Sequence, residues 1–375
     1  MGLRSTLSTL LLGLLLGLPA AAQVSRIAIA AGSPEDLALQ AITNEQDPQK
    51  RVALYQEFLG KFPGNPAAVA YANWQLSQLY LAAGDGAKAL ETGDKAVAAL
   101  PGELDVLASQ VTVAQQMKDY GKVVDYATRG GTAYQGIGKQ ARPEGMSDAD
   151  FAAGNAQKRE EAHSNYEYLE GAAYTAIANE SDAKRRMSYI ERFNAAFPKS
   201  RYQDQVTQYA MISLQQMNDR AGLIAFGEKA LAADPENVTT LLLLAETMAE
   251  DPKTRTQALE HARKAVALAK ANQGSGDPQK ELLAGGAHSV LGFVLVMQGN
   301  YTAAIPELKE AAGPLKGQDA AESRVLYCLG LSYAKLRSLD PARTYLTQAA
   351  AISGPYQTHA RSMLAQVNAL RSKGQ

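Results

Sequence analysis

The sequence predicts an all-α fold, an α–α solenoid of about seven to eight helix–turn–helix repeats. Three observations predict it. Alternating runs of β-branched residues are missing, while apolar residues recur at three- and four-residue spacing almost throughout. A frame of about 34 residues, read as helix, turn and helix, returns six or seven times. One stretch is also duplicated without a gap. Residues 41–63, AITNEQDPQKRVALYQEFLGKFP, match residues 176–198, AIANESDAKRRMSYIERFNAAFP, at nine of 23 positions and an offset of 135.

The first element is a leader. Residues 1–22, MGLRSTLSTLLLGLLLGLPAAA, join a positive Arg4 to twelve apolar residues, Leu7 to Leu18, and a small-residue end before Gln23. That is the pattern of a cleaved secretory signal, and the run is short for a membrane span. The expectation is an exported protein, periplasmic or secreted, of a bacterial envelope. No Cys follows the cleavage point, so a lipid anchor is not expected. No later run approaches transmembrane length, because the apolar stretch 241–249 is interrupted at Glu246. Without the leader the chain carries 36 basic and 38 acidic side chains, which disfavours nucleic acid and anionic membrane as partners. Cys328 is the only cysteine, so no intramolecular disulfide forms and packing alone must hold the fold. Its apolar setting, VLYCLGL, reads as a small buried hydrophobe.

The helix pairs then come in order. Residues 34–130 form an N-terminal half, one pair that contains the duplicated stretch and two further repeats. In 70–103, Leu76, Leu79 and Tyr80 mark a first helix, Gly84-Asp85-Gly86 the turn, and Ala89 and Ala96 a second helix stopped by Pro101. The next frame, 104–137, turns at Lys118-Asp119-Tyr120. Residues 131–163 are expected to be an inter-repeat loop and helix; the Gly-rich 129–148 reads as a loop, with Ser147 or Asp148 capping the next helix. A second half spans 164–271, and the polar stretch 272–280 is a linker. Residues 285–370 are a C-terminal pair with a closing helix at 358–370, marked by Leu291-Gly292 and Leu329-Gly330 in its first helices and by Ala304, Ala311, Ala342 and Ala349 in its second.

Large residues on the first helix, small ones on the second and a 34-residue period resemble the tetratricopeptide repeat (TPR). The element Tyr55-Phe58-Phe62-Pro63, with its partner Ile190-Phe193-Phe197-Pro198, is similar to repeats of envelope TPR proteins, among them lipoproteins of outer-membrane assembly and periplasmic partners of the Tol–Pal system. The resemblance implies a non-catalytic scaffold that grips a protein or peptide on its first helices, its partner not identified by the sequence. Mapped onto this chain, the candidate partner-binding residues are Tyr71, Trp74, Gln78, Tyr168, Gln208, Arg324 and Tyr327. The Lys and Asn of the chaperone-binding members are replaced by Trp74, Ala108 and Tyr168, so that specialised binding is not implied. The alternative is a module for glycans or small molecules, with the Tyr-rich interior as a stacking surface.

Chemistry finds little footing. His163, His261, His288 and His359 lack a neighbouring His or Cys at ligand spacing, so no metal or cofactor is expected. GGTAYQGIGKQ at 130–140 fails the phosphate-loop spacing, since Ala133 stands where the first Gly is needed and Gln140 follows Lys139. Neither a nucleophile elbow nor a Ser/His/Asp grouping is present, and an enzyme is not expected. Asp47 and Asp182, at the same place in the two duplicated stretches, read as helix caps rather than catalytic acids. The sequons at Asn179, Asn237 and Asn300 are glycosylation acceptors in a eukaryotic secretory pathway and silent in a bacterial envelope; the last two read as turn residues.

Overall fold

The computed structural model describes residues 27–270, 274 and 276–373. The leader read at 1–22 lies outside the described residues. Among them all regular structure is α-helical, seventeen helices in all, and the chain is an α–α solenoid of helix–turn–helix pairs. It forms two compact units, one ending at Leu169 and the other beginning at Glu170.

The first unit holds α1 (Pro34–Thr43), α2 (Pro48–Lys61), α3 (Pro66–Ala82), α4 (Gly86–Ala99), α5 (Leu104–Gln116), α6 (Tyr120–Gly136) and the start of α7 (Asp148–Asn179). Each helix packs on the next, from α1 on α2 to α5 on α6. The second unit takes the rest of α7 and continues with α8 (Ala183–Ala196), α9 (Gln203–Gln216), α10 (Arg220–Ala233), α11 (Val238–Ala249) and α12 (Arg255–Ala269). It ends with α13 (Pro278–Met297), α14 (Tyr301–Ala312), α15 (Asp319–Lys335), α16 (Leu339–Ala351) and α17 (Gln357–Lys373). There α11 packs on α12 and α13, α13 on α14 and α15, and α17 closes on α15 and α16.

The duplicated stretch owes its pattern to capping. Asp47 accepts the backbone N–H groups of Gln49 and Lys50 and starts α2; Asp182 accepts that of Arg185 and starts α8. Glu45 and Glu180 each accept the N–H of the capping Asp, at 2.9 and 2.8 Å. Both helices stop on a Phe whose ring lies on the Phe one turn earlier, 4.9 Å between Phe58 and Phe62 and 5.1 Å between Phe193 and Phe197. Both acids are therefore spent on backbone donors that a helix start leaves open.

Five of the turns inside pairs share one geometry. The bend residue has positive φ: Gly84 78°, Lys118 55°, Asn218 54°, Gly299 77° and Arg337 58°. The next residue, Asp85, Asp119, Asp219, Asn300 or Ser338, sends its N–H five residues back to a carbonyl, at 2.9 Å in all five. This bond closes the first helix. The same residue is the N-cap of the second, and in the first four its side chain also accepts a backbone N–H three residues on. Small residues then let the pairs close: a methyl group on Gly330 would sit 2.6 Å from Leu346 Cγ, and on Gly292 2.5 Å from Leu308 Cγ.

The structure departs from the sequence reading in three places. The loop expected over 129–148 is shorter, because α6 runs on to Gly136 and α7 starts at Asp148. Gly130 and Gly131 are buried helical residues rather than loop residues, and a methyl group on Gly130 would fall 2.3 Å from Leu169 Cδ1. Of the linker at 272–280, Pro278–Lys280 already belong to α13, whose start Asp277 caps. Finally, α13 is long and apolar enough to cross a membrane by length and composition, although no later run was expected to reach that length. More than half of its apolar window is buried, since α11, α12, α14 and α15 pack around it. A helix packed on several sides is apolar nearly all round.

Candidate functional site

In the first unit the candidates lie on α3 and α7, and those with side-chain hydrogen bonds make them to α5, which lies between. Trp74 is 6% exposed, and its indole N–H donates to Ser109 Oγ at 2.7 Å. Gln78 donates to the same oxygen at 2.7 Å. Tyr71 stands edge-on to Trp74, half-buried against the core that includes Phe58 and Leu76. Tyr168 is 38% exposed, and its hydroxyl meets Thr112 Oγ1 at 2.8 Å and donates to Gln115 at 3.1 Å. The structure thus makes Trp74 an interior residue, while Tyr168 offers its ring to solvent.

In the second unit Arg324 is an internal strut. Its side chain is 13% exposed. From α15 it reaches Glu246 of α11 at 2.7 Å and Ser289 of α13 at 3.1 Å, with its guanidinium 5.9 Å from the Phe293 ring centre. Burial pulls the guanidinium pKa down, but Glu246 overrides it and the net direction is up. Tyr327 packs on Tyr356 and His359 beside the closing helix, and burial raises its hydroxyl pKa. Burial likewise pushes the Cys328 thiol up to about 12, so it stays a protonated core group.

Gln208 is exposed and lines an open cavity of about 210 Å³ between α9 and α11. Met211, Ile212, Thr239 and Leu243 supply its apolar walls, and Ile212 is 43% exposed. A second cavity of about 200 Å³ adjoins it across the shared Leu243. This one is polar, lined by Asp219, Arg220, Glu246 and Glu250 among others. Arg220 is turned inward: it donates to the Thr247 carbonyl and pairs with Glu250 at 3.2 Å. An apolar slot thus sits beside a polar one on the same helices, whose carboxylates Glu250 and Glu246 are paired with Arg220 and Arg324. The sequence reading named Gln208 as a candidate and did not name Ile212, one turn further along α9. The signal was there: Val206, Ala210, Met211 and Leu214 form the buried stripe, which leaves 208 and 212 outward.

Among the described residues no group of three or more His, Cys, Asp and Glu side chains is placed to hold a metal ion. The nearest approaches are pairs, His288 with Glu307 at 2.7 Å and His261 with Glu228 at 3.2 Å.

The sequence matches no protein-family model and no curated protein. Among solved structures it is similar to TTC0263, a thermophilic TPR protein of Thermus thermophilus, at 16% identity and a TM-score of 0.34, over 49% of this chain and 90% of that one. It is also similar to the TPR domain of P58(IPK), at 11% identity and a TM-score of 0.33, over 92% of this chain and 99% of that one.

Proposed function

We propose that the chain is an exported, non-catalytic interaction scaffold of the bacterial cell envelope that binds a protein segment on the α9–α11 face of its second unit. The observation that carries this reading is the pair of adjoining cavities divided by Leu243, one apolar and one polar. An apolar side chain seated beside Ile212, followed by a polar side chain in the neighbouring cavity, matches both in character. Exposed Gln208 supplies a polar group at the rim. The leader supports export, with cleavage before Gln23.

Glycan binding fits the same unit less well. The aromatic cluster it would use consists of Tyr174, Tyr202 and Tyr209, and the first two rings stack on each other 4.3 Å apart and 3° from parallel. Each thereby occupies a face that a sugar would need.

The test is affinity capture from an envelope extract, with the wild-type protein beside Ile212→Arg. The variant fills the apolar slot with a charge at an already exposed position. At least tenfold less partner on the variant is the expected result, and equal recovery rejects the site. Fractionation followed by N-terminal sequencing checks the compartment: the exported protein should begin at Gln23.

A further inference from the structure

The open groove between α1 and α2 has an internal control, because the same helix pair occurs again as the end of α7 and α8. The groove encloses about 500 Å³, with Ala41, Leu54, Phe58 and Phe62 among its lining residues. At the same offset of 135, Ala38, Ala41, Ile42, Phe58, Lys61 and Phe62 correspond to Ala173, Ala176, Ile177, Phe193, Ala196 and Phe197. Those six counterparts are all at most 1% exposed. In the second occurrence, therefore, this surface is packed protein interior. In the first it is more open, with Ala41 and Lys61 exposed and Ala38 and Phe62 only half-buried, while Ile42 and Phe58 are buried in both.

The rim of the open groove also differs from its counterpart. Glu57 and Lys61 lie one turn apart on α2, both exposed, where the buried version has Arg192 and Ala196. Neither Glu57 nor Lys61 forms an ion pair among the described residues; the Lys61 ammonium sits 5.5 Å from the Phe62 ring centre. A terminal pair that only needed to be soluble would put polar side chains on the floor of its groove. Here the floor is apolar and a Glu/Lys pair edges it.

We propose that this groove is the self-association surface of the protein and that its occupant is the same helix pair of a second copy, related by a two-fold axis. On an antiparallel approach of α2 to its copy, Glu57 of each chain faces Lys61 of the other, and the two apolar floors close together. A two-fold interface requires a self-complementary patch, and an opposite-charge pair one helical turn apart on a single helix meets that requirement.

The test uses the full chain, with its mass measured by sedimentation across a hundredfold range of concentration. Glu57→Lys and Lys61→Glu are exposed helix positions, and circular dichroism checks that each variant is folded. Wild type should dimerise, and each variant alone should dimerise at least tenfold more weakly, because like charges then meet twice. Mixing the two variants should restore the dimer, since the two lysines at this rim of one chain then face the two glutamates of the other. A wild-type monomer throughout overturns the proposal. So does open-ended growth, or a variant that dimerises as wild type does.

Discussion

The indole N–H of Trp74 and the side-chain amide of Gln78 both donate to one oxygen, Ser109 Oγ, each at 2.7 Å. This joint fastens α3 to α5 from one pair to the next. It changes what a substitution at the only Trp would report. Removing a side chain this buried leaves a cavity and severs its bond to Ser109, so Trp74→Ala should destabilise the protein by about 3–5 kcal/mol. Ser109→Ala deletes only the shared acceptor and should cost about 1–2 kcal/mol. Denaturant unfolding measures both. A stable Trp74→Ala protein with weakened partner capture would instead return Trp74 to the binding surface.

The positive-φ turns allow a stabilising substitution. Lys118 and Arg337 adopt at 55° and 58° what Gly84 and Gly299 adopt at 78° and 77° in the equivalent turns. A side chain there strains the backbone by about 1–2 kcal/mol, and a Gly relieves it while loosening the unfolded chain. The balance for Lys118→Gly and for Arg337→Gly should be a gain of about 0.5–1 kcal/mol each. The reverse change, Gly84→Ala, should lose about 1 kcal/mol. The readout is the urea midpoint at unchanged slope; a loss on placing Gly at either bend would mean that the Lys or Arg side chain makes a contact worth more than the strain.

The legible part of the fold is the periodic part. Capping residues and glycine turns act within a few residues of themselves, so Asp47, Asp182, Asn237 and Asn300 could be read as caps and turn residues, and each is an N-cap. The solenoid emerged from the same regularity. Gly130 was misread because glycine has two uses, bending a chain and admitting a neighbour, and only the tertiary partner Leu169 tells them apart. The site was legible only in part. A residue's face can be read from spacing, as for Gln208, but Arg324 spans three helices to Glu246 and Ser289, and local sequence carries no trace of such a reach.

Tyr126 should make stability fall at high pH. It is fully buried, and its hydroxyl donates to Asp94 at 2.7 Å. Burial first, then the bond to Asp94, hold its pKa above the ordinary 10.0. A folded-state pKa raised above the unfolded one gives stability that is complete below about pH 10 and is lost as pH climbs through the folded value. Tyr126→Phe should therefore cost about 1–2 kcal/mol at about pH 7 and lose less on going to about pH 11. Tyr55, Tyr71 and Tyr356 are also raised, so a slope remains in the variant. Parallel curves for the two proteins would remove Tyr126 from the cause.

The Arg324–Glu246 pair should respond unequally to losing one side or the other. Arg324 is 13% exposed, and its Nε has no hydrogen-bond partner, whereas Glu246 is 42% exposed. Without Glu246 the guanidinium remains in the interior with Ser289 as its other side-chain hydrogen-bond partner. Without Arg324 the Glu246 carboxylate can still be hydrated. Glu246→Gln should then destabilise by about 2–3 kcal/mol, below the loss for a pair buried on both sides. Arg324→Met keeps an apolar stem beside Phe293 and drops the charge that was expensive to bury, so it should fall within about 1 kcal/mol of wild type. Thermal and urea unfolding of the two variants decide the matter. If Arg324→Met is the more damaged, the contacts to Ser289 and Phe293 outweigh the ion pair, and Arg324 holds α13 to α15 by those contacts rather than by charge.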